Sequence, residues 1–187
     1  MSSHIQSVLE LVDREIWIVT ATASGRSGGL VATWVSAASI DPQQSTMLIG
    51  LAPNHFTAEL VEASGAFALH LLGRRQIDLV WRFALSSGRD TNKFAGLAYQ
   101  AESSGSPILA DCLGWLDCRV IARYDSGDRV FFWGDVVAGE VQGSGVALRE
   151  KEVLSAATDE QRVALARSRV SDIATLAPLR LAWRDRV

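Results

Sequence analysis

Three hydroxyl side chains lie close together in an apolar segment early in the chain. Thr33, Ser36 and Ser39 interrupt the apolar residues 30–40, and an Asp-Pro pair ends the segment. Hydroxyls and free backbone N–H groups beside an apolar wall suit a ligand that has a flat aromatic end and a phosphate tail. The alternative is that these hydroxyls bind neighbouring backbone groups at the edge of a strand. The pattern alone leaves both interpretations open.

A second polar group lies where a short helix is expected to begin. Asn54, His55 and Thr57 stand at the start of a helix predicted over residues 57–63, with Asn54 or Thr57 as its cap. The start of a helix binds anions because its first N–H groups have no partner within the helix. As a phosphate partner, His55 would be pH-dependent. The alternatives are plain capping for Thr57 and a solvated loop position for His55.

Both groups fall in segments that resemble the flavin reductase-like family, whose fold is the FMN-binding split β-barrel. Five such segments follow in the same order as in the family, and together they extend over residues 12–142. They are residues 30–42 (LVATWVSAASIDP), residues 51–60 (LAPNHFTAEL), residues 64–72 (SGAFALHLL), residues 76–94 with a Gln, an Arg-Phe pair and a Lys-Phe pair, and residues 114–136 with two Gly-Asp pairs.

The resemblance implies a set of residues that bind FMN. Phe83, Lys93 and Phe94 would close the site, and a lysine near the N1–C2=O edge would stabilise the negative charge of a reduced flavin. Otherwise the two phenylalanines would be core residues and the lysine a surface cation. No side chain is implied as a catalytic acid, and no metal ligand is implied. The implied cofactor-binding residues are Val31, Ala32, Thr33, Trp34, Ser36, Ser39, Asn54, His55, Thr57, Phe83, Lys93 and Phe94.

One departure from the family pattern concerns the expected nicotinamide side of the flavin. Many reductases of the family carry Gly-Asp-His at a hairpin, whereas residues 127–129 here read Gly-Asp-Arg. Arginine cannot release a proton near neutral pH, so Arg129 cannot act as an acid or a base. It can attract a phosphate group. We therefore expect slow or partner-dependent turnover, with NADPH preferred to NADH.

Two functions follow from the resemblance. The first is an NAD(P)H-dependent flavin reductase-type oxidoreductase that binds FMN, or alternatively FAD, and moves hydride from NADH or NADPH to flavin N5. The second is a non-catalytic flavin-binding or electron-transfer protein resembling flavoredoxin; a haem-binding barrel is a more distant third. The family also implies a homodimer, with flavin near the subunit boundary, and a partner oxygenase or another electron acceptor.

Composition narrows the class of protein. The 187 residues carry a net charge of −3, which argues against nucleic-acid binding, and no apolar run is long enough for a membrane span. Only two cysteines are present, Cys112 and Cys118, and we expect both to be idle thiols. No secretory signal is visible, so a cytoplasmic protein is expected. His70 lies in a predicted strand and is expected to be a hydrogen-bonded core histidine.

The elements that must position these residues are mostly short strands, which predicts a mainly β, Greek-key-like split barrel with peripheral helices. We expect a barrel domain over residues 1–145 and a helical C-terminal extension, packed on the barrel, over residues 146–187. The C-terminal helix is expected to end at Pro178 and β-bulges are expected at Gly134 and Gly139. Predicted strands cover residues 16–22, 30–39, 46–52, 67–72, 116–124 and 130–141; predicted helices cover residues 57–63 and 75–85, and residues 102–111 are a predicted loop.

Overall fold

A seven-stranded antiparallel sheet forms the centre of this computed structural model, which describes residues 3–187. The strands are β1 (Trp17–Ala23), β2 (Arg26–Ala32), β3 (Val35–Ala37), β4 (Thr46–Leu51), β5 (Ala66–Leu71), β6 (Tyr99–Ala101), β7 (Pro107–Leu109), β8 (Gly114–Asp125) and β9 (Val130–Val141). The sheet order is β2-β1-β5-β8-β9-β4-β3, and β6 pairs with β7 in a separate ribbon. The mainly β fold class is therefore confirmed.

Five helices surround the sheet. They are α1 (Ser3–Leu11), α2 (Phe56–Ser64), α3 (Ile77–Ala84), α4 (Glu150–Ala156) and α5 (Asp159–Arg184), and a 3-10 turn (Arg74–Gln76) leads into α3. Among residues 3–187, no helix combines the length and apolar character that crossing a membrane requires.

The sheet buries an apolar core on each face because successive side chains of a strand point to opposite sides. Val19 and Ala21 of β1 belong to the first core, which contains the side chains of α2, and Ile18 belongs to the second, which contains Phe83 of α3. Both faces of the central strands are consequently covered. A cavity is left where helices and loops meet the edge strand β2.

His70 is a fully buried histidine whose two ring nitrogens are both hydrogen-bonded. Nδ1–H donates to the carbonyl of Ile18 at 3.1 Å, and Nε2 accepts from the backbone N–H of Leu109 at 3.1 Å. Burial lowers the pKa of His70 to about 4, so the ring is neutral at pH 7. The expectation of a hydrogen-bonded core histidine is confirmed.

The two cysteines are free and buried in different cores. Cys118 of β8 lies in the first core and Cys112 in the second, on the opposite face of the sheet. Burial raises the pKa of Cys112 to about 11 and that of Cys118 to about 12. Both thiols are therefore protonated at neutral pH.

The two predicted bulges in β9 are wrong. Gly134 and Gly139 both keep partners in β8. The register shifts lie next to the Gly134 pair and one pair beyond the Gly139 pair, and they leave Ile121 in β8 and Val137 in β9 without a partner. Gly134 serves close packing: a Cβ on this residue would lie 2.6 Å from the ring of Phe67. A glycine inside a strand signals either feature, so the sequence could not separate them.

Other element boundaries also differ from the sequence-based prediction. The predicted strand 30–39 is two strands, because residues 33–34 interrupt the pairing, and the predicted loop 102–111 contains β7. The C-terminal helix does not end at Pro178, which lies inside α5. The helix continues because its last turns are bound to the β8–β9 hairpin, where Arg180 donates to the carbonyl of Ser126 at 3.0 Å.

Candidate functional site

A cavity of 310 Å³, here called the α2 cavity, lies at the N-terminal end of α2. Residues 54–57 form one wall and residues 83–88, at the end of α3, form the opposite wall. Gly29 of the edge strand β2, Lys93 and one face of α5 complete the lining. Gly29 lets α3 approach the strand, since a Cβ here would lie 2.6 Å from the ring of Phe83.

The N-terminal end of α2 presents hydrogen-bond donors that the described residues leave free. The N-cap residue is His55 rather than Asn54 or Thr57, and its side chain makes no capping bond. No described residue accepts from the backbone N–H groups of Phe56 or Thr57. The hydroxyl of Thr57 has no hydrogen-bond partner in the described chain either, although the residue is only 3% exposed. Free amides and an unpartnered hydroxyl at a helix start suit an anion.

Lys93 brings a buried positive charge to the same cavity. Its Nζ donates to the carbonyls of Gly29 at 3.0 Å and Phe83 at 2.8 Å, and the residue is 5% exposed. No carboxylate within residues 3–187 forms an ion pair with it, and burial lowers its pKa to about 8. The ammonium is still mostly protonated at pH 7. A buried charge without a counterion is costly, so the cavity favours an anionic ligand.

One carboxylate already touches this end of the cavity. Asp172 of α5 accepts from Asn54 Nδ2 at 3.0 Å through Oδ1 and from His55 Nε2 at 3.2 Å through Oδ2. At the outer rim, Arg89 forms a two-pronged ion pair with Glu59, which lowers the pKa of that carboxyl group. Arg89 is therefore engaged by a protein carboxylate.

Trp34 defines a second cavity of 340 Å³, here called the tryptophan cavity. Its ring stacks on Phe131 of β9 at a centroid distance of 6.0 Å, and Thr33 and Ser36 line the same space. Gly50 of β4 permits the stack, because a Cβ there would lie about 3.0 Å from both rings. The result is a half-exposed aromatic surface beside hydroxyl groups.

Arg129 lies in a third cavity of 520 Å³, here called the hairpin cavity, between the tip of the β8–β9 hairpin and α5. Its guanidinium carbon is 4.9 Å from the ring centre of Trp34, and Nη1 donates to the carbonyl of Asp128 at 2.6 Å. Ser168 and Asp172 line both the hairpin cavity and the α2 cavity. The α2 cavity and the hairpin cavity are therefore adjacent, and the contact between Arg129 and Trp34 links the hairpin cavity to the tryptophan cavity.

The structure groups most of the predicted site residues and separates others. Asn54, His55, Thr57, Phe83 and Lys93 line the α2 cavity, whereas Thr33, Trp34 and Ser36 line the tryptophan cavity.

Four predicted residues do not line these cavities. Val31 and Ala32 pack against the cores, and Phe94 packs edge-on against Phe83 within the second core. The Ser39 hydroxyl donates to the carbonyl of Gln44 at 2.7 Å and accepts from a backbone N–H of the same turn. Ser39 therefore follows the alternative interpretation, in which the hydroxyl bonds to neighbouring backbone groups.

Sequence reasoning missed two parts of the site. Residues 86–88 were expected only as a polar loop, and their proximity to α2 depends on how α3 packs. Asp172 stands 117 residues beyond His55, in a helix whose periodicity indicates burial rather than chemistry. No local signal in the sequence could have identified it.

The seven-stranded antiparallel sheet with its surrounding helices is a split β-barrel fold. The family model described as "Flavin reductase like domain" matches residues 9–151. The chain therefore belongs to the flavin reductase-like family, and the resemblance seen in the sequence is confirmed.

Individual relatives agree with this assignment. Diflavin flavoprotein A 1 of Synechocystis sp. is 30% identical over 143 residues, which cover 75% of this chain but 24% of that protein. A flavin reductase of Pseudomonas putida is 27% identical over 126 residues, 66% of this chain and 70% of that one. The flavin reductase domain protein of Arthrobacter sp. FB24 has the same fold, with a TM-score of 0.70 at 23% identity over 79% of this chain and 91% of that chain.

Proposed function

We propose that the protein binds FMN non-covalently and acts as a flavin reductase-type oxidoreductase, taking hydride from NADH or NADPH. The observation that carries the proposal is the donor set of the α2 cavity: two free amides, the unpartnered Thr57 hydroxyl and the uncompensated Lys93 ammonium. These groups fit a phosphate monoester, which offers several acceptor oxygens and a negative charge. FAD, whose first phosphate would take the same place, is the alternative flavin.

The chain's own residues would bind and orient the flavin rather than exchange protons with it. Thr57 and the start of α2 would hold the phosphate, and the Trp34–Phe131 stack would cover the apolar ring. Bound FMN would supply the hydride acceptor, and electrons would leave to free flavin, oxygen or a partner oxygenase. Membership of the flavin reductase-like family supports oxidoreductase activity in general.

Thr57→Val tests the placement of the phosphate. We expect the variant to bind FMN about tenfold more weakly and riboflavin unchanged, because a hydrogen bond to a charged group contributes about 1.5–3 kcal/mol. Flavin fluorescence titration measures both affinities. The control is Thr91→Val, which alters an exposed hydroxyl in the loop after α3. Equal losses for both flavins would assign Thr57 to folding of the helix start instead.

Arg129 favours the second candidate function, a flavin-binding or electron-transfer protein with slow turnover. The guanidinium carbon lies 4.9 Å from the ring centre of Trp34, and the side chain cannot act as an acid or a base. It would either attract the extra phosphate of NADPH or fill the nicotinamide space.

Steady-state kinetics with both nucleotides separate these functions. We expect the wild type to turn over slowly and to prefer NADPH, and we expect Arg129→His to raise kcat/KM for NADH. Arg123→His, at an exposed ion pair with Glu62, is the control. Rapid NADH turnover by the wild type, unchanged in Arg129→His, would show that Arg129 has no part in nucleotide use.

We also propose a homodimer with the flavin near the subunit boundary. Trp34 is 42% exposed beside its cavity, and Ile121 of β8 is 57% exposed, so both offer apolar interface anchors. Sedimentation velocity at micromolar concentration should give a dimer. A monomer that still binds flavin would contradict this part of the proposal.

A further inference from the structure

Helix α5 places Asp172 in the same cavity as the donors that the proposed function assigns to the flavin phosphate. The two carboxylate oxygens of Asp172 are both engaged, one by Asn54 and one by His55. Asp172 is the only carboxylate lining the α2 cavity in the described part of the chain. A protein anion therefore stands beside the place where the ligand's anion would bind.

Apart from these contacts, α5 buries little of its length against the rest of the chain. Leu176 is the only buried residue among the 26 of α5. Beyond it, Arg180 and Trp183 contact the β8–β9 hairpin, and the ring of Trp183 meets Tyr124 at 6.4 Å. Between the helix start and Leu176, Asp172 makes the hydrogen bonds that tie α5 to the start of α2, and near the helix start Arg162 donates to the carbonyl of Ser155 in α4 at 3.3 Å. The middle of α5 is thus bonded to the α2 cavity through one carboxylate.

A phosphate held by the α2 amides, Thr57 and Lys93 would share the α2 cavity with the Asp172 carboxylate. Like charges within a few ångströms repel, and the effect is strong where the surroundings are shielded from water. Among the described residues, Lys93 is the one lysine or arginine that lines the cavity, so its charge cannot compensate both anions fully. The penalty grows with the charge of the ligand's tail and vanishes for a neutral tail.

The geometry points to Asp172 as a specificity-determining residue that selects among flavins by the charge of their tails, an inference that rests on the proposed function. In the ligand-free protein Asp172 holds Asn54 and His55, and a phosphorylated flavin binds by displacing it. Riboflavin, which has no phosphate, binds without displacing it. Asp172 thus lowers the preference for FMN over riboflavin that the rest of the cavity creates.

Two substitutions separate the charge of Asp172 from its contacts. Asp172→Asn removes the charge while the amide can still bond to Asn54 and His55; Asp172→Ala removes both. Asp185→Asn, at the exposed end of α5, makes the same charge change away from the cavity and is the control. Affinities for FMN and riboflavin are measured by fluorescence titration, and amide hydrogen exchange over residues 165–176 reports the position of α5.

We expect both Asp172 variants to bind FMN about tenfold more tightly, with riboflavin affinity and the Asp185→Asn control unchanged. Amide exchange in α5 should rise when FMN saturates the wild type, and should already be raised in ligand-free Asp172→Ala. An unchanged ratio of FMN to riboflavin affinity would overturn the inference while leaving the proposed function intact. Weaker binding of both flavins would overturn it by making Asp172 a direct ligand contact. If no variant binds either flavin, the proposed function fails and this inference fails with it.

Discussion

Lys93→Met is expected to weaken FMN binding at least tenfold at pH 7. The wild-type ammonium is buried against two carbonyl oxygens with no carboxylate partner in the described chain, so the ligand supplies its counterion. The free energy of unfolding of the ligand-free variant should be unchanged or higher, because methionine fills the space without a buried charge. Affinity is measured by fluorescence titration and stability by urea unfolding.

The pH dependence provides a second test of Lys93. Since burial lowers its pKa from 10.5 to about 8, the folded protein binds fewer protons than the unfolded chain between these values. The free energy of unfolding should therefore rise as pH increases from 8 to 10.5 in the wild type, and this rise should disappear in Lys93→Met. Lys151→Met, at an exposed lysine, is the control. If Lys93→Met binds FMN with the affinity of the wild type, Lys93 does not bind the ligand and its role is structural.

Acid should destabilise this protein through His70. The folded pKa of about 4 lies below the ordinary value of 6.5, so only the unfolded chain takes up a proton as pH falls between them. The contribution of His70 to the free energy of unfolding is fully present above pH 6.5. It is lost progressively as the pH falls to 4, by about 3 kcal/mol in total. Urea unfolding at a series of pH values measures the loss.

His70→Asn is the informative variant because asparagine carries an amide that can donate and accept hydrogen bonds but does not titrate. We expect lower stability at pH 7, since the shorter amide cannot keep both hydrogen bonds at their length, but a flatter profile between pH 4 and 6.5. His4→Asn, at an exposed position in α1, should reproduce the wild-type profile. An unchanged slope in His70→Asn would assign the acid sensitivity to the carboxylates instead.

The sheet was largely predictable because its strands alternate or are continuously apolar over several residues. The hairpin of β8 and β9 was placed within two residues at each end, and the expected hairpin at residues 127–129 lies at its tip. Pro178 misled because intrinsic preference favours ending a helix there, while tertiary contacts of Arg180 keep α5 helical. The ribbon of β6 and β7 escaped notice because each strand has only three residues.

The site was predictable only where segment order and residue type coincided. Thr57 and Lys93 were identified from the family pattern, and the structure adds that they share one cavity. Ser39 was an expected ligand contact, yet hydroxyls that bind a ligand and hydroxyls that bind a turn look alike in a sequence. The contacts of Asp172 depend on the path of α5, which no spacing rule specifies.

The buried thiols restrict how electrons can travel through the protein. Cys112 and Cys118 lie on opposite faces of the sheet, are protonated at neutral pH and are the only cysteines in the chain. Thiol–disulfide exchange requires an accessible thiolate close to a second sulfur, and neither residue meets that condition. If the proposed function holds, the protein therefore has no disulfide that could accept electrons from a bound flavin. The electron acceptor would have to approach the flavin directly, beside the half-exposed aromatic surface at Trp34.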